Sequence, residues 1–207
     1  MNALIQPPAT VVSVEIDQLL DQHAPVVRAH CYRSYQFAAA LAQADGIELD
    51  DEVLYLGTLL HDVGFSPGGD RNARFEVRGA NIVRALLLDH EMERDRVDNV
   101  WDCIAMHASN ALARHKSPET RYSSRGTSVD VRGTGAEVLH PGFVRTVLDR
   151  WPRHDFPHLF PEVLRDEVRA NPESTRMSWL EPIAAATIPG FEPTDLLAAI
   201  HASASLT

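Results

Sequence analysis

The sequence contains almost no lysine. Lys116 is the only one among 207 residues, and the remaining basic side chains are arginines. Because Lys116 stands in a polar, loop-like stretch, the sequence argues against a mechanism that uses a lysine Schiff base. The formal net charge of -10 argues against broad binding to nucleic acids or anionic membranes. A small anionic substrate in a locally positive pocket remains open.

Cysteine is also scarce. Cys31 and Cys103 are the only two, and both lie within helical patterns. Two such residues are typical of reduced thiols in the core of an intracellular protein, and no cysteine-based zinc motif is present. No apolar run is long enough to cross a bilayer, and residues 1–10 lack the basic start and apolar core of a signal peptide. We therefore expect a cytoplasmic protein.

The sequence shows no strand pattern. No stretch has the alternation of a β-strand, whereas apolar residues recur at helical spacing along most of the chain. The predicted helices span residues 14–22, 26–44, 51–62, 74–90, 94–112, 141–151, 157–170, 178–187 and 193–201, with a helical patch at 133–139. Residues 114–128 are polar, and we predict a long loop there, of a length that is usually functional or mobile. The expected fold class is all-α.

A histidine and an aspartate stand side by side where one predicted helix ends. His61 and Asp62 follow an apolar run and precede Gly64. We predict that Asp50 caps the start of this helix and that Gly64 ends it as a C′ glycine. Imidazole and carboxylate side chains at a helix end can turn toward one metal ion, and together they suit zinc, iron, manganese or nickel. The plain alternative is a surface pair at a helix C-terminus.

Other polar residues are predicted to face inward. His30 lies on the apolar stripe of its helix, with Arg33 one turn further along, and His107 lies on the apolar side of a later helix. Asp130 follows the predicted loop. Because burying an unpaired imidazole or carboxylate costs free energy, these groups should share partners or a metal ion. Core histidines and structural ion pairs are the alternatives.

This order of residues resembles the HD-domain metallohydrolase superfamily, whose signature is a histidine, then a His-Asp pair, then a distant aspartate. The matching residues are His30, His61, Asp62 and Asp130. Three further stretches, at 74–80, 101–107 and 151–153, resemble cyanamide hydratase-like HD proteins. The resemblance implies an HD-domain helical bundle with its core at 26–170. Residues 1–25 would form an N-terminal arm with a short helix, and residues 171–207 a C-terminal helical extension of the same domain.

The resemblance also implies a chemistry. It implies one divalent metal ion, zinc first, with iron, manganese or nickel as alternatives, held by His30, His61, Asp62 and Asp130. Activated water would attack a small molecule such as cyanamide or a related nitrile. The residues expected in catalysis are Asp62, Glu76, His107 and Arg33. Glu76 or His107 would protonate the nitrogen, and Arg33 would orient the substrate. By analogy the protein would be a homo-oligomer.

Several alternatives remain. A phosphohydrolase acting on a nucleotide or other small phosphate ester would need basic groups near the metal, which Arg33, Arg71, Arg74 and Arg78 would supply. A regulatory protein would keep the fold without turnover. A second metal near His90 and His107 is disfavoured, because His90 stands near a helix end. The sequence Gly64 to Gly68 lacks the preceding strand of a serine-hydrolase motif, and a small cluster at 154–158 is interpreted as surface loop.

Overall fold

The structure, a computed structural model, describes residues 3–153 and 155–203, except for the side chains of residues 14, 15, 17 and 18. The helices are α1 (Val11–Leu20), α2 (Pro25–Ala44), α3 (Asp51–Leu59), α4 (Phe75–Asp89), α5 (Arg94–Met106), α6 (Asn110–Ala113), α7 (Pro118–Arg132), α8 (Pro141–Arg150), α9 (Phe156–Ala170), α10 (Glu181–Thr187) and α11 (Leu196–Ala202). No strand occurs in the described residues. The all-α prediction is confirmed, and none of the described helices is long and apolar enough to cross a bilayer.

Helix α2 lies at the centre of the bundle and packs against α3 and α7, while α5 packs against α3, α4 and α7. The apolar residues whose helical spacing predicted these helices are the residues that the helices bury. Leu56 and Leu59 on α3, Val83 on α4 and Ile104 on α5 are all fully buried in one core. Burial of this shared face, rather than local propensity alone, stabilises the helices.

The two ends of α3 differ from one another. Asp50 caps its start as predicted, and its side chain accepts a hydrogen bond from the backbone N–H of Val53 at 3.1 Å. The prediction that Gly64 ends the helix is wrong, because α3 stops at Leu59 and Gly64 lies in a short 3-10 turn. A Cβ on Gly64 would collide with the carbonyl oxygen of Phe75. Glycine is therefore needed there for close packing against α4.

The predicted loop at 114–128 is wrong: most of this stretch belongs to α7. The helix starts at Pro118 after Ser117, whose side chain accepts a hydrogen bond from the backbone N–H of Thr120 at 3.1 Å. Small residues such as Gly126 let α7 lie directly on α2, where a Cβ would collide with the carbonyl oxygen of Ser34. Small polar residues carry no apolar periodicity, although here they are buried. Residues 118–128 are therefore part of the packed bundle and not a loop over the site.

Three shorter predictions also differ from the structure. The helix predicted over 94–112 breaks at His107, which follows the last residue of α5, and resumes as α6. The patch at 133–139 is a 3-10 turn, Ala136–Val138. In the small cluster at 154–158, His154 lies outside the described residues.

The C-terminal helices continue the bundle. Helices α8 and α9 contact α2, and α10 packs on α9. A small second core joins α4 to this region, and it contains Phe75, Val168, Leu180 and Ala184. We propose on this basis that residues 171–207, as far as they are described, extend the same domain as the helical core at 26–170.

Candidate metal centre

Three buried side chains converge at the end of α3. His30 comes from α2, and His61 and Asp62 come from the turn after α3. The Nε2 atoms of the two histidines are 3.1 Å apart. Oδ2 of Asp62 lies 3.3 Å from Nε2 of His61 and 3.8 Å from Nε2 of His30. Among the described residues, this is the group whose ligand atoms are close enough to share one metal ion.

The outer nitrogen of each histidine is already engaged. Nδ1 of His61 donates to the carbonyl oxygen of Thr58 at 2.6 Å, because a carbonyl can only accept. Nδ1 of His30 lies 2.6 Å from Oδ2 of Asp130, an acceptor when ionised. In the neutral rings, both Nε2 atoms therefore carry lone pairs that point toward each other. Two such lone pairs at this distance need a proton or a cation between them.

Asp62 supplies a second observation that fits a metal. Its Oδ2 is buried and makes no hydrogen bond to any described residue. Its contact with Nε2 of His61, at 3.3 Å, is an ion pair without hydrogen-bond geometry, so a cation bound between these groups would satisfy it better. Two imidazole nitrogens and one carboxylate oxygen form a donor set suited to zinc and related transition metals. The residues present therefore fit the divalent ion implied by the sequence.

Electrostatics at this site favour positive charge. Burial acts against a charged His61, but the Asp62 carboxylate and the Cys31 thiol outweigh it, and the pKa of His61 is raised well above its usual value. Burial also acts against a charged Asp62, yet His61 outweighs it and the pKa of Asp62 is lowered. In the protein without metal, His61 is therefore protonated and paired with the Asp62 carboxylate, and a bound cation would replace that proton.

Asp130, predicted from the sequence as a fourth ligand, is not in this group. Its carboxylate lies behind His30, where Oδ1 accepts from Nε of Arg33 at 2.7 Å and Oδ2 from Nη2 of Arg33 at 2.8 Å. Burial raises the pKa of Asp130, but the hydrogen bonds from His30 and Arg33 outweigh it and lower that pKa to about 2. Arg33 also donates to the carbonyl oxygens of Trp151 and Pro152.

His107 lies on the other side of Asp62. Its Nε2 is 3.8 Å from Oδ1 of Asp62, and its Nδ1 donates to the carbonyl oxygen of Ile104 at 2.8 Å. Burial, together with the nearby His61, lowers the pKa of His107 to about 4. His107 is therefore a neutral imidazole near neutral pH, with its Nε2 lone pair available. His90, by contrast, lies at the C-terminal end of α4 and outside the metal group.

Glu76 is buried, but it is engaged elsewhere. Its Oε1 accepts a hydrogen bond from Nε1 of Trp179 at 2.8 Å and pairs with Arg74. Trp179 lies just before α10, about a hundred residues further along the chain. Trp179 is not among the residues predicted for the site, because no sequence pattern around it indicates a contact with α4.

A cavity of about 520 Å³ opens beside the metal group. Its lining residues are His30, Asp62, Phe65, Phe75, His107, Ala108, Asn110, Thr127, Ser128, Val131, Arg132, Arg153, Phe156, Pro157, Phe160, Pro161, Leu164 and Trp179. Of the residues predicted for the site, His30, Asp62 and His107 face this cavity, whereas Arg33 and Glu76 support its walls from behind.

Comparison with known proteins agrees with this geometry. The HD domain family matches residues 27–141. Two proteins of Saccharomyces cerevisiae, cyanamide hydratase DDI2 and cyanamide hydratase DDI3, are each 27% identical to the chain over 157 residues. These alignments cover 72% of this chain and 68% of each yeast protein. The chain therefore belongs to the HD domain family and is a metal-dependent enzyme of the hydrolase and hydratase type, related to cyanamide hydratase.

Proposed function

We propose that the protein adds water to a small molecule with a nitrile-like group, with cyanamide as the reference substrate. The observation that carries this proposal is the set of two facing Nε2 lone pairs and one unpartnered carboxylate oxygen beside a cavity. A divalent ion bound there would polarise the substrate and lower the pKa of water toward neutrality. The names of the two yeast relatives support the choice of cyanamide.

His30, His61 and Asp62 would hold the ion. We assign Asp130 to a positioning role rather than to the ligand set, because its two oxygens already accept hydrogen bonds from His30 and Arg33. A carboxylate behind a ligating histidine fixes the tautomer and the direction of the ring. Arg33, expected from the sequence to contact the substrate, would in turn hold Asp130.

His107 would act as the general base and then as the general acid. Its neutral Nε2 faces the cavity side of Asp62 and can accept a hydrogen bond, since Nδ1 is held by the carbonyl oxygen of Ile104. In a hydration, the attacking water loses a proton and the nitrile nitrogen gains one. Nε2 of His107 can take the first and return the second. The structure supports a different role for Glu76, which would hold Trp179 in the cavity wall.

A phosphohydrolase is the second candidate. Three of the arginines predicted to bind phosphate are engaged by carboxylates: Arg33 by Asp130, Arg74 by Glu76 and Arg78 by Glu167. Arg132 and Arg153, however, line the cavity, and their positive charges support a phosphohydrolase as the second candidate. Hydration is favoured because the lining is mainly apolar. Zinc, the cytoplasmic location and the homo-oligomer stay predictions.

Metal content and turnover test the proposal together. The purified protein should contain about one metal ion per chain and convert cyanamide to urea, and Asp62→Asn should do neither. Asp98→Asn, which alters an exposed carboxylate paired with Arg84, is the matched control and should keep both properties. A protein that binds metal and hydrolyses nucleoside monophosphates but leaves cyanamide intact would establish the phosphohydrolase instead.

A further inference from the structure

The cavity is far larger than cyanamide. Its volume of about 520 Å³ lies within the range of about 300–1,000 Å³ that is typical of sites for drug-sized ligands. Cyanamide is comparable to one or two water molecules, each with a share of about 30 Å³ in the liquid. A pocket shaped for cyanamide alone would leave most of this space without a ligand contact.

Aromatic rings form much of the lining. Phe65 stacks on Phe75 with ring centroids 4.1 Å apart, and Phe156 stacks on Phe160 at 4.8 Å. The two pairs meet where Phe65 contacts Phe160 edge to face, with centroids 6.4 Å apart. Phe160 also contacts the ring of His30 at 5.1 Å. The apolar wall therefore starts directly beside the metal group, so one molecule can touch both.

Trp179 is fixed in this wall. Its indole N–H donates to Glu76 at 2.8 Å, and its ring meets Phe75 edge to face at 6.2 Å. A ring held in this way is preorganised for a ligand, because little side-chain freedom remains to be lost on binding. Trp179, Phe156 and Phe160 all lie beyond residue 141, where the family match ends. This part of the wall is therefore supplied by the C-terminal region of the chain.

We propose that the true substrate carries an apolar body, of the size of an aromatic ring, joined to its reacting group. The inference rests on the proposed function for the identity of that group. The reacting group would lie against Asp62 and His107, and the body against the rings of Phe65, Phe160 and Trp179. Substituted cyanamides and aryl or alkyl nitriles have this composition, and cyanamide does not.

The first test compares substrates on the metal-loaded protein. Benzylcyanamide should be hydrated with a kcat/KM about tenfold or more above that of cyanamide, mainly through a lower KM, because the ring adds buried contacts. Benzylurea, the corresponding product, should bind in isothermal titration calorimetry and raise the unfolding temperature. A protein that hydrates cyanamide but neither hydrates benzylcyanamide nor binds benzylurea would overturn the inference and leave the proposed function standing.

A cavity-filling variant locates the effect. Val131 lines the cavity on α7 and is 42% exposed, so a larger side chain there can enter the cavity without disrupting the core. Val131→Trp should lower the ratio of kcat/KM for benzylcyanamide over cyanamide at least about tenfold. Val138→Trp, at a similarly exposed valine outside the cavity lining, should not change that ratio.

Binding separates the two proposals. If no nitrile is hydrated but benzylurea binds the parent and not Val131→Trp, the apolar cavity stands and the reaction class is wrong. If Val131→Trp and Val138→Trp bind benzylurea as tightly as the parent does, the ligand lies elsewhere and the inference is overturned.

Discussion

The two ends of α3 contain similar side chains in very different states. At its start, Asp50 accepts from Arg96 at 2.7 and 2.9 Å, and its backbone N–H donates to Glu119 at 2.9 Å. Just beyond its other end, Oδ2 of Asp62 has no hydrogen-bond partner among the described residues. The Asp50 side chain is 37% exposed and that of Asp62 is 2% exposed.

The difference is in pairing rather than in charge. The exposed end could satisfy its polar atoms with water, yet it satisfies them with protein groups. The buried end is shielded from bulk water, yet a carboxylate oxygen and two imidazole nitrogens face one point there without hydrogen bonds that satisfy all of them. Unsatisfied buried polar atoms cost free energy, and where three of them face one point a single cation can satisfy them together. The convergence of these incompletely paired groups is what supports our proposal of a metal site at this end of the helix.

The largest expected effect follows from removing the unpartnered carboxylate. Asp62→Asn should reduce metal affinity by more than about 100-fold, since losing even an outer partner of a ligand costs about 10–100-fold. Metal content is measured by elemental analysis. The unfolding temperature with and without a chelator shows how much metal binding stabilises the fold. The metal-free form should remain folded, because asparagine has nearly the same size and shape as aspartate and leaves the buried packing in place.

Asp50→Asn is the matched change at the other end. It should leave the metal content at the parent level and lower the unfolding temperature slightly. Equal loss of metal in Asp50→Asn and Asp62→Asn would contradict our interpretation, because the hydrogen bonding of the two carboxylates would then not indicate which one binds metal.

Arg33 gives the next largest effect. Arg33→Met leaves the buried carboxylate of Asp130 without its two-pronged partner, so chemical denaturation should show a loss of about 3–5 kcal/mol. Arg33→Lys should recover part of this loss, since it restores charge but not the paired geometry. In the Arg33→Met/Asp130→Ala double variant the loss should be smaller than in Arg33→Met alone. Full additivity would show that the two side chains act independently.

Gly126 tests the helix that connects the two ends. Helix α7 carries Glu119 near the Asp50 end and Asp130 near the metal end, with Gly126 between them against α2. Helix propensity predicts that Gly126→Ala stabilises by about 1 kcal/mol. The contact with the Ser34 carbonyl predicts a loss of about 1–3 kcal/mol, which should prevail because backbone atoms must shift.

Ser123→Ala is the control on the same helix. The Ser123 hydroxyl is buried and has no hydrogen-bond partner among the described residues. Its removal should therefore be neutral or stabilising in the same denaturation experiment. A stabilising Gly126→Ala would show that α7 does not lie tightly on α2.

The smallest expected effect is at the paired end. Asp50→Ala removes a helix cap and should cost about 1 kcal/mol at neutral pH, with the ion-pair share reduced by its exposure. The hydrogen bond from Arg96 lowers the pKa of Asp50 below its unfolded value of about 3.9. Its contribution is therefore present above that value and lost as the pH falls through the lower folded pKa. A difference that stays constant down to acid pH would contradict this assignment.

Most of the fold was predictable because most helices bury an apolar stripe. Helices α2, α4, α8 and α9 lie close to their predicted ranges. Helix α7 was not predictable in this way, since it buries serine, threonine and glycine against α2 and its apolar periodicity is absent. What decides its structure is close packing with a helix about a hundred residues earlier in the chain.

The site was predictable in part for the same reason. His30, His61 and Asp62 each stand at the polar end or on the inner stripe of a recognisable helix, and the structure brings them together. The position of Asp130 behind His30 depends on an Arg33 contact formed across 97 residues, and Trp179 reaches Glu76 across 103. Such distant pairings leave no local trace in the sequence.

The hydrogen bond between His30 and Asp130 spans 100 residues and sets an order of events during synthesis. His30, His61 and Asp62 leave the ribosome first, and Asp130 follows roughly 3–14 s later at about 5–20 residues per second. Until then His30 lacks the carboxylate that holds Nδ1 of its ring at 2.6 Å. We therefore expect tight metal binding only after Asp130 has been synthesised and has packed behind His30.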